Sequence, residues 1–133
     1  MVEFVNVNVN PKNRKTGDCS TRALANILNI TYEQALKEQC EAAIKKCYGI
    51  TNKETIDYVM KKYGWEKQKQ PRKLNGKKYQ VYEMDEVLST EEMETGALIL
   101  VANHWTLVRD YLIEDIWDCG KKSVGNYWIK IRR

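Results

Sequence analysis

The sequence predicts an α+β fold in which N-terminal helices pack on a mostly antiparallel C-terminal β-sheet. Capped helical patterns fill the first half, β-rich apolar runs fill the region from Ala97 onward, and the connections between those runs are too short for crossover helices. With 133 residues the chain fits one domain, residues 1–133. A domain of this size buries roughly two thirds of the surface its unfolded chain exposes, enough for a real core.

Val5, Val7 and Val9 alternate with asparagines, predicting a short half-buried strand that ends at Asn10-Pro11. A polar loop leads to Gly17. Asp18 is positioned to cap a helix by accepting from the amides of Ser20 or Thr21, and Ala23, Leu24, Ile27 and Leu28 then share one helical face. Thr31-Tyr32-Glu33-Gln34 has the capping-box pattern and opens a second helix running to about Lys46. Thr51-Asn52-Lys53-Glu54 repeats that signal, with Ile56, Val59 and Met60 as the stripe and Gly64 as the stop. Lys67 to Lys78 contains Pro71 and Gly76 and predicts a surface loop or hairpin ending before a β-rich Tyr79-Gln80-Val81-Tyr82. Ser89-Thr90-Glu91-Glu92 starts a further short helix that Thr95-Gly96 ends. Four strands follow: Leu98–Val101, Trp105–Val108, Leu112–Trp117 and Tyr127–Ile131.

Composition narrows the function classes. The apolar fraction is 43%, and the longest apolar run, Ala97 to Ala102, falls far short of the roughly 20 residues that span a bilayer. No membrane association is expected. The N-terminus carries no secretory signal pattern, so a cytoplasmic protein is the expectation. The four cysteines, at 19, 40, 47 and 119, show no C-x-x-C spacing and read as reduced thiols. Cys40 and Cys47 lack structural-zinc spacing, and with one histidine the chain has no obvious four-ligand set, so no metal or cofactor is expected. A net charge of +4 does not indicate a nucleic-acid binder. The six Lys or Arg between residues 67 and 78 read as a solvated loop, because no stacking aromatics are interleaved with them. Trp65, Trp105 and Trp128 read as core or cleft walls.

Chemistry concentrates on Cys19, at the mouth of the first helix, and on His104, the only histidine. A thiol at a helix start with a distant imidazole is the arrangement of a cysteine nucleophile and its general base. The helix N-terminus and an adjacent imidazolium both lower a thiol pKa, whereas the Asp18 carboxylate next door raises it unless helix amides neutralise that charge. A third member depends on strand register. If Asp110-Tyr111 is a two-residue hairpin loop, Arg109 faces Leu112, and His104, Thr106, Asp115 and Trp117 share a face. A loop one residue longer presents Asp118 instead. Cys119, in a turn after Asp118, reads as incidental rather than as a resolving thiol.

Gly17-Asp18-Cys19-Ser20-Thr21-Arg22-Ala23-Leu24, His104-Trp105-Thr106-Leu107-Val108 and Asp115-Ile116-Trp117-Asp118 occur in the order Cys, His, Asp. In these segments, and over Asn13 to Trp128, the chain resembles papain-like cysteine peptidases, in particular small phage and prophage proteins similar to bacteriocin-leader peptidase domains. The resemblance implies a papain-like fold. It favours Asp115 over Asp118, since Asp115-Ile116-Trp117 resembles the family's Asn-Ser-Trp segment, in which the amide orients the histidine and the tryptophan shields that bond. It also implies an oxyanion donor at Asn13, six residues before Cys19, where the family usually has glutamine; Asn10 or Asn8 are alternatives, and the Cys19 backbone N–H is a second donor.

Two functions follow as expectations. One is a cysteine hydrolase, a peptidase or amidase acting on a peptide or protein through Cys19, His104, Asp115 and Asn13 and a thioester intermediate. The other is an inactive papain-like binding module that acts on a host or phage protein by occupancy alone.

Overall fold

A computed structural model describes residues 1–131. The order of elements is β1 (Glu3–Asn6), α1 (Cys19–Leu28), α2 (Tyr32–Lys46), α3 (Lys53–Lys62), β2 (Trp65–Gln68), a 3-10 helix (Val81–Glu86), α4 (Thr90–Thr95), β3 (Ala97–Val101), β4 (His104–Arg109), β5 (Leu112–Asp115) and β6 (Tyr127–Lys130). The strands form one six-stranded sheet in the order β1-β5-β4-β3-β6-β2. All pairings are antiparallel except β1 with β5. The architecture is therefore α+β with a mostly antiparallel sheet, as the sequence predicts. No helix among the described residues is long and apolar enough to cross a membrane.

The sheet has a core on each face, and the alternation of its strands divides them. Leu98, Trp105, Leu107 and Trp128 pack with Leu24, Ile27, Ile56, Val59 and Met60 of the N-terminal helices. Ala97, Ile99, Val101, Val108 and Ile113 point the other way and pack with Val81, Met84, Leu88 and Met93. Helices thus cover both faces, whereas the sequence predicts them on one. The long helices supply one layer; the 3-10 helix and the segment through α4 supply the other.

Three local expectations need correction. The first strand is Glu3–Asn6 rather than Val5–Val9, because Asn8 and Asn10 turn the chain with their side chains: Asn8 Oδ1 accepts from Asn10 N and Asn10 Oδ1 from Lys12 N. The basic segment hides a strand, β2, paired with β6. Only its later part is a hairpin, closed by the Arg72–Lys78 bridge around Gly76 at φ 84°. Tyr79–Tyr82 is no strand; Val81 and Met84 are drawn into the second core, and Gln80 and Glu83 close a capping box on the 3-10 helix.

At α4 Ser89 and Glu92 close the expected capping box, whereas at α2 Thr31 accepts from Gln34 N but the Gln34 side chain donates to Glu38 instead of closing the box. In α3 the cap is Asn52, not Thr51. Gln39, fully buried on α2, ties the helices together by accepting from Thr21 Oγ1 at 2.6 Å and donating to Ser20 Oγ at 2.9 Å. That clamp fixes the first turn of α1, which begins at Cys19.

Candidate active site

Cys19 is the first residue of α1, half-buried, with Gly17 and the exposed 11–17 loop before it. Its thiol is turned toward β4, where it meets the His104 side chain and the backbone N–H of Trp105. The β4–β5 hairpin supplies the rest. Asp110 and Tyr111 form its two-residue loop, with Arg109 opposite Leu112 and Val108 opposite Ile113. Continuing this alternation brings His104 and Asp115 to the same face. His104 Nε2 and Asp115 Oδ2 are 2.6 Å apart. Strand β5 ends at Asp115 rather than Trp117, because Asp115 Oδ1 accepts from Ile116 N and the chain turns away.

The choice between aspartates follows. Asp115 is 4% exposed and bonded to the imidazole, whereas Asp118 is exposed and bonded to the Tyr82 hydroxyl and the Gly120 N–H. Trp117 stands edge-on to the His104 ring, centroids 4.8 Å apart, and covers it from solvent.

Asp18 does not cap α1. No side-chain capping bond forms; the carboxylate instead binds the Arg22 guanidinium, Asn10 Nδ2 at 2.9 Å and the Tyr32 hydroxyl at 2.8 Å. The sequence prediction of amide capping fails because a cation and two neutral donors converge on the same oxygens. The anticipated conflict with a Cys19 thiolate is removed all the same, since Arg22 cancels the Asp18 charge. Arg22 extends further: Nη2 lies 3.9 Å from Asp115 Oδ1, so one buried guanidinium serves two carboxylates.

Asn13 is not brought to this cluster. It is exposed in the 11–17 loop with φ 53°, its N–H bonded to Asn10 O, and it lines neither cavity that Cys19 borders. Asn8 and Asn10 use their amide groups on Arg14 O and Asp18 respectively. The oxyanion donor that remains from the sequence reading is the Cys19 backbone N–H at the helix start.

The electrostatics favour a charged pair. Burial pushes the Cys19 thiol up, but the hydrogen bond from His104, the Trp105 N–H and the imidazolium charge outweigh it and bring it below its ordinary value. Burial alone lowers an imidazole, yet the Asp115 bond, the two neighbouring thiols and the Asp115 charge push His104 up to about 11. Burial raises the Asp115 carboxyl, and its bonds to His104 and Ile116 N with the His104 charge carry it below the usual range. The thiolate, the imidazolium and the carboxylate are thus each favoured by their neighbours. Since Nε2 donates to Asp115, Nδ1 is the nitrogen left for Cys19.

Cys19 and His104 open on a surface cleft of about 550 Å³ walled by Gly17, Thr51, Leu100, Asn103 and Trp105. Its walls carry no charged residue besides the pair itself. One further thiol is present: Cys119 is 1% exposed, with Sγ 4.0 Å from Asp115 Oδ2. Together His104, Asp115 and Cys119 have ligand-type atoms within 4.8 Å of one another. Sequence reasoning missed Arg22 and Cys119. Arg22 had a signal, the i,i+4 spacing from Asp18; Cys119 had none.

No family model, curated protein or solved structure matches the chain.

Proposed function

We propose that this chain is a papain-like cysteine hydrolase that cleaves an amide or peptide bond through Cys19, His104 and Asp115. The observation that supports the reading is a single imidazole held through Nε2 by a buried carboxylate while a half-buried thiol at a helix start meets the same ring. The Cys19 thiolate attacks the carbonyl carbon, and the charge that develops on oxygen faces the Cys19 backbone N–H. His104 gives its Nδ1 proton to the departing amine as the C–N bond breaks, leaving a thioester. Water then attacks the thioester carbon, His104 takes its proton, and a carboxylic acid leaves as the thiolate reforms.

The uncharged cleft walls suit an uncharged segment of a peptide or protein substrate beside the scissile bond. Four free thiols suit a reducing, cytoplasmic setting.

The test compares alkylation of Cys19 with that of the three other thiols as a function of pH. Cys19 is expected to react selectively at about pH 6, and to lose that selectivity in His104→Ala. Slow, uniform labelling that rises only toward about pH 8.5 would overturn the hydrolase reading in favour of a scaffold acting by occupancy alone.

A further inference from the structure

Among the described residues Cys119 is the one fully buried thiol, and the hydrolytic scheme does not use it. Its position is fixed by elements remote from Cys19. Tyr82 N donates to Gly120 O at 2.9 Å, Val81 N to Lys122 O at 3.0 Å and Val124 N to Tyr79 O at 2.8 Å, so the 118–124 segment is laced to the start of the 3-10 helix. Gly120 lies so close to Tyr82 that a Cβ there would meet the ring at 2.1 Å. The thiol is thereby held against the His104–Asp115 pair, 4.0 Å from Asp115 Oδ2.

We propose that His104 Nε2, Asp115 Oδ2 and Cys119 Sγ form a binding site for a borderline-soft divalent cation of the zinc type. The donors are one imidazole nitrogen, one carboxylate oxygen and one thiol sulfur, the N/O/S set that such ions take, with a fourth position left for water or an exogenous ligand. Tetrahedral coordination at ordinary bond lengths separates N from O by about 3.3 Å and S from O by about 3.5 Å. The pair now 2.6 Å apart would open by about 0.7 Å, and the pair now 4.0 Å apart would close by about 0.5 Å. The third pair, Nε2 and Sγ, lies within 4.8 Å and would close by up to about 1.3 Å, so the Cys119 side chain makes the largest movement.

The surroundings are already those of a supported ligand set. Asp115 Oδ1 is engaged by Ile116 N at 2.7 Å and faces Arg22, which leaves Oδ2 as the single oxygen turned to the cation. On binding, the Cys119 thiol proton and the His104 Nε2 proton leave to solvent, and no redox change occurs. The cation replaces the Nε2–H bond to Asp115, so the metal-bound and triad arrangements exclude each other. Cys19, on the Nδ1 side, is not a ligand.

The test titrates cobalt(II) into the chelator-treated protein and reads thiolate-to-cobalt charge-transfer absorption, with zinc(II) competing it away. One equivalent is expected to bind to the natural chain and to Cys19→Ala, and the band is expected to be absent in Cys119→Ala. Cooperative urea denaturation of Cys119→Ala serves as the check that this variant is folded. No band in the natural chain, or a band lost in Cys19→Ala and kept in Cys119→Ala, would overturn the site. Because the readout is metal absorption, its failure is distinct from any failure of the hydrolase reading.

Discussion

At the scale of single residues, Arg22 governs the charge balance beneath the thiol. It is 7% exposed, and a guanidinium at that depth needs carboxylates around it: Asp18 engages Nη1 and Asp115 approaches Nη2. Removing one member of such a buried set leaves the others uncompensated, at a cost of about 3–5 kcal/mol. Arg22→Met is therefore expected to lower the unfolding free energy by about 3 kcal/mol in urea denaturation. Adding Asp18→Asn should recover part of the loss; strictly additive losses would show that the two groups are uncoupled. The helical spacing of Asp18 and Arg22 made this pair visible in the sequence, but an acid before a helix reads first as a cap. The competing donors, Asn10 and Tyr32, come from flanking segments that only the fold brings in. Cys119 was illegible for a similar reason, since its position depends on the pairing of residues 118–124 with 79–82. Asn13 failed because an offset in sequence does not fix where a left-handed turn directs a side chain.

At the scale of elements, the β4–β5 turn decides which aspartate reaches the imidazole. Asp110 and Tyr111 both have positive φ, 52° and 65°, as a type I′ turn requires of its two central residues. A residue with a Cβ loses about 1 kcal/mol or more in that region, and glycine avoids the loss. Tyr111 is 47% exposed, so little packing opposes the exchange. Tyr111→Gly is expected to raise the unfolding free energy by about 1 kcal/mol while leaving pH-selective labelling of Cys19 unchanged. Thermal denaturation beside alkylation checks both, and a shift in labelling would mean that the register had slipped. The register was legible because two residues between Arg109 and Leu112 allow few turns, and because His104 and Asp115 then fall in phase. Strand β2 was not legible, because it is an edge strand: Glu66 and Lys67 are exposed, and charges that protect an edge from further pairing look like loop in the sequence. Tyr79–Tyr82 misled in the opposite direction, its β-favouring Tyr79, Val81 and Tyr82 outweighing the Gln80–Glu83 capping signal.

At the scale of the whole molecule, the site spans a seam, with the thiol delivered by the helix layer and its partners by the sheet, so its ionisation is coupled to global stability. His104 is raised from an ordinary 6.5 to about 11, so its contribution is complete below 6.5 and is lost as pH rises toward 11. Cys19 is lowered from an ordinary 9.0, so its contribution is complete above 9.0 and is lost as pH falls through the lowered value. Where pH exceeds both 6.5 and the lowered Cys19 value and stays below 9.0, the folded pair is imidazolium and thiolate while the unfolded pair is neutral imidazole and thiol. Both states then hold the same number of protons, and the pair adds no slope to stability against pH. Removing the thiol breaks this cancellation. In Cys19→Ala the imidazole is still raised by Asp115, so stability is expected to fall with rising pH from about 6.5 by up to about 1.4 kcal/mol per pH unit. Urea denaturation of both proteins from pH 6 to 10, with chelator present to keep His104 free of metal, isolates the effect, because every other titrating group cancels in the difference. A difference that stays flat up to 9.0 would mean that Cys19 rests as a neutral thiol throughout this range, and flat curves for both proteins would mean that the imidazole is neutral as well.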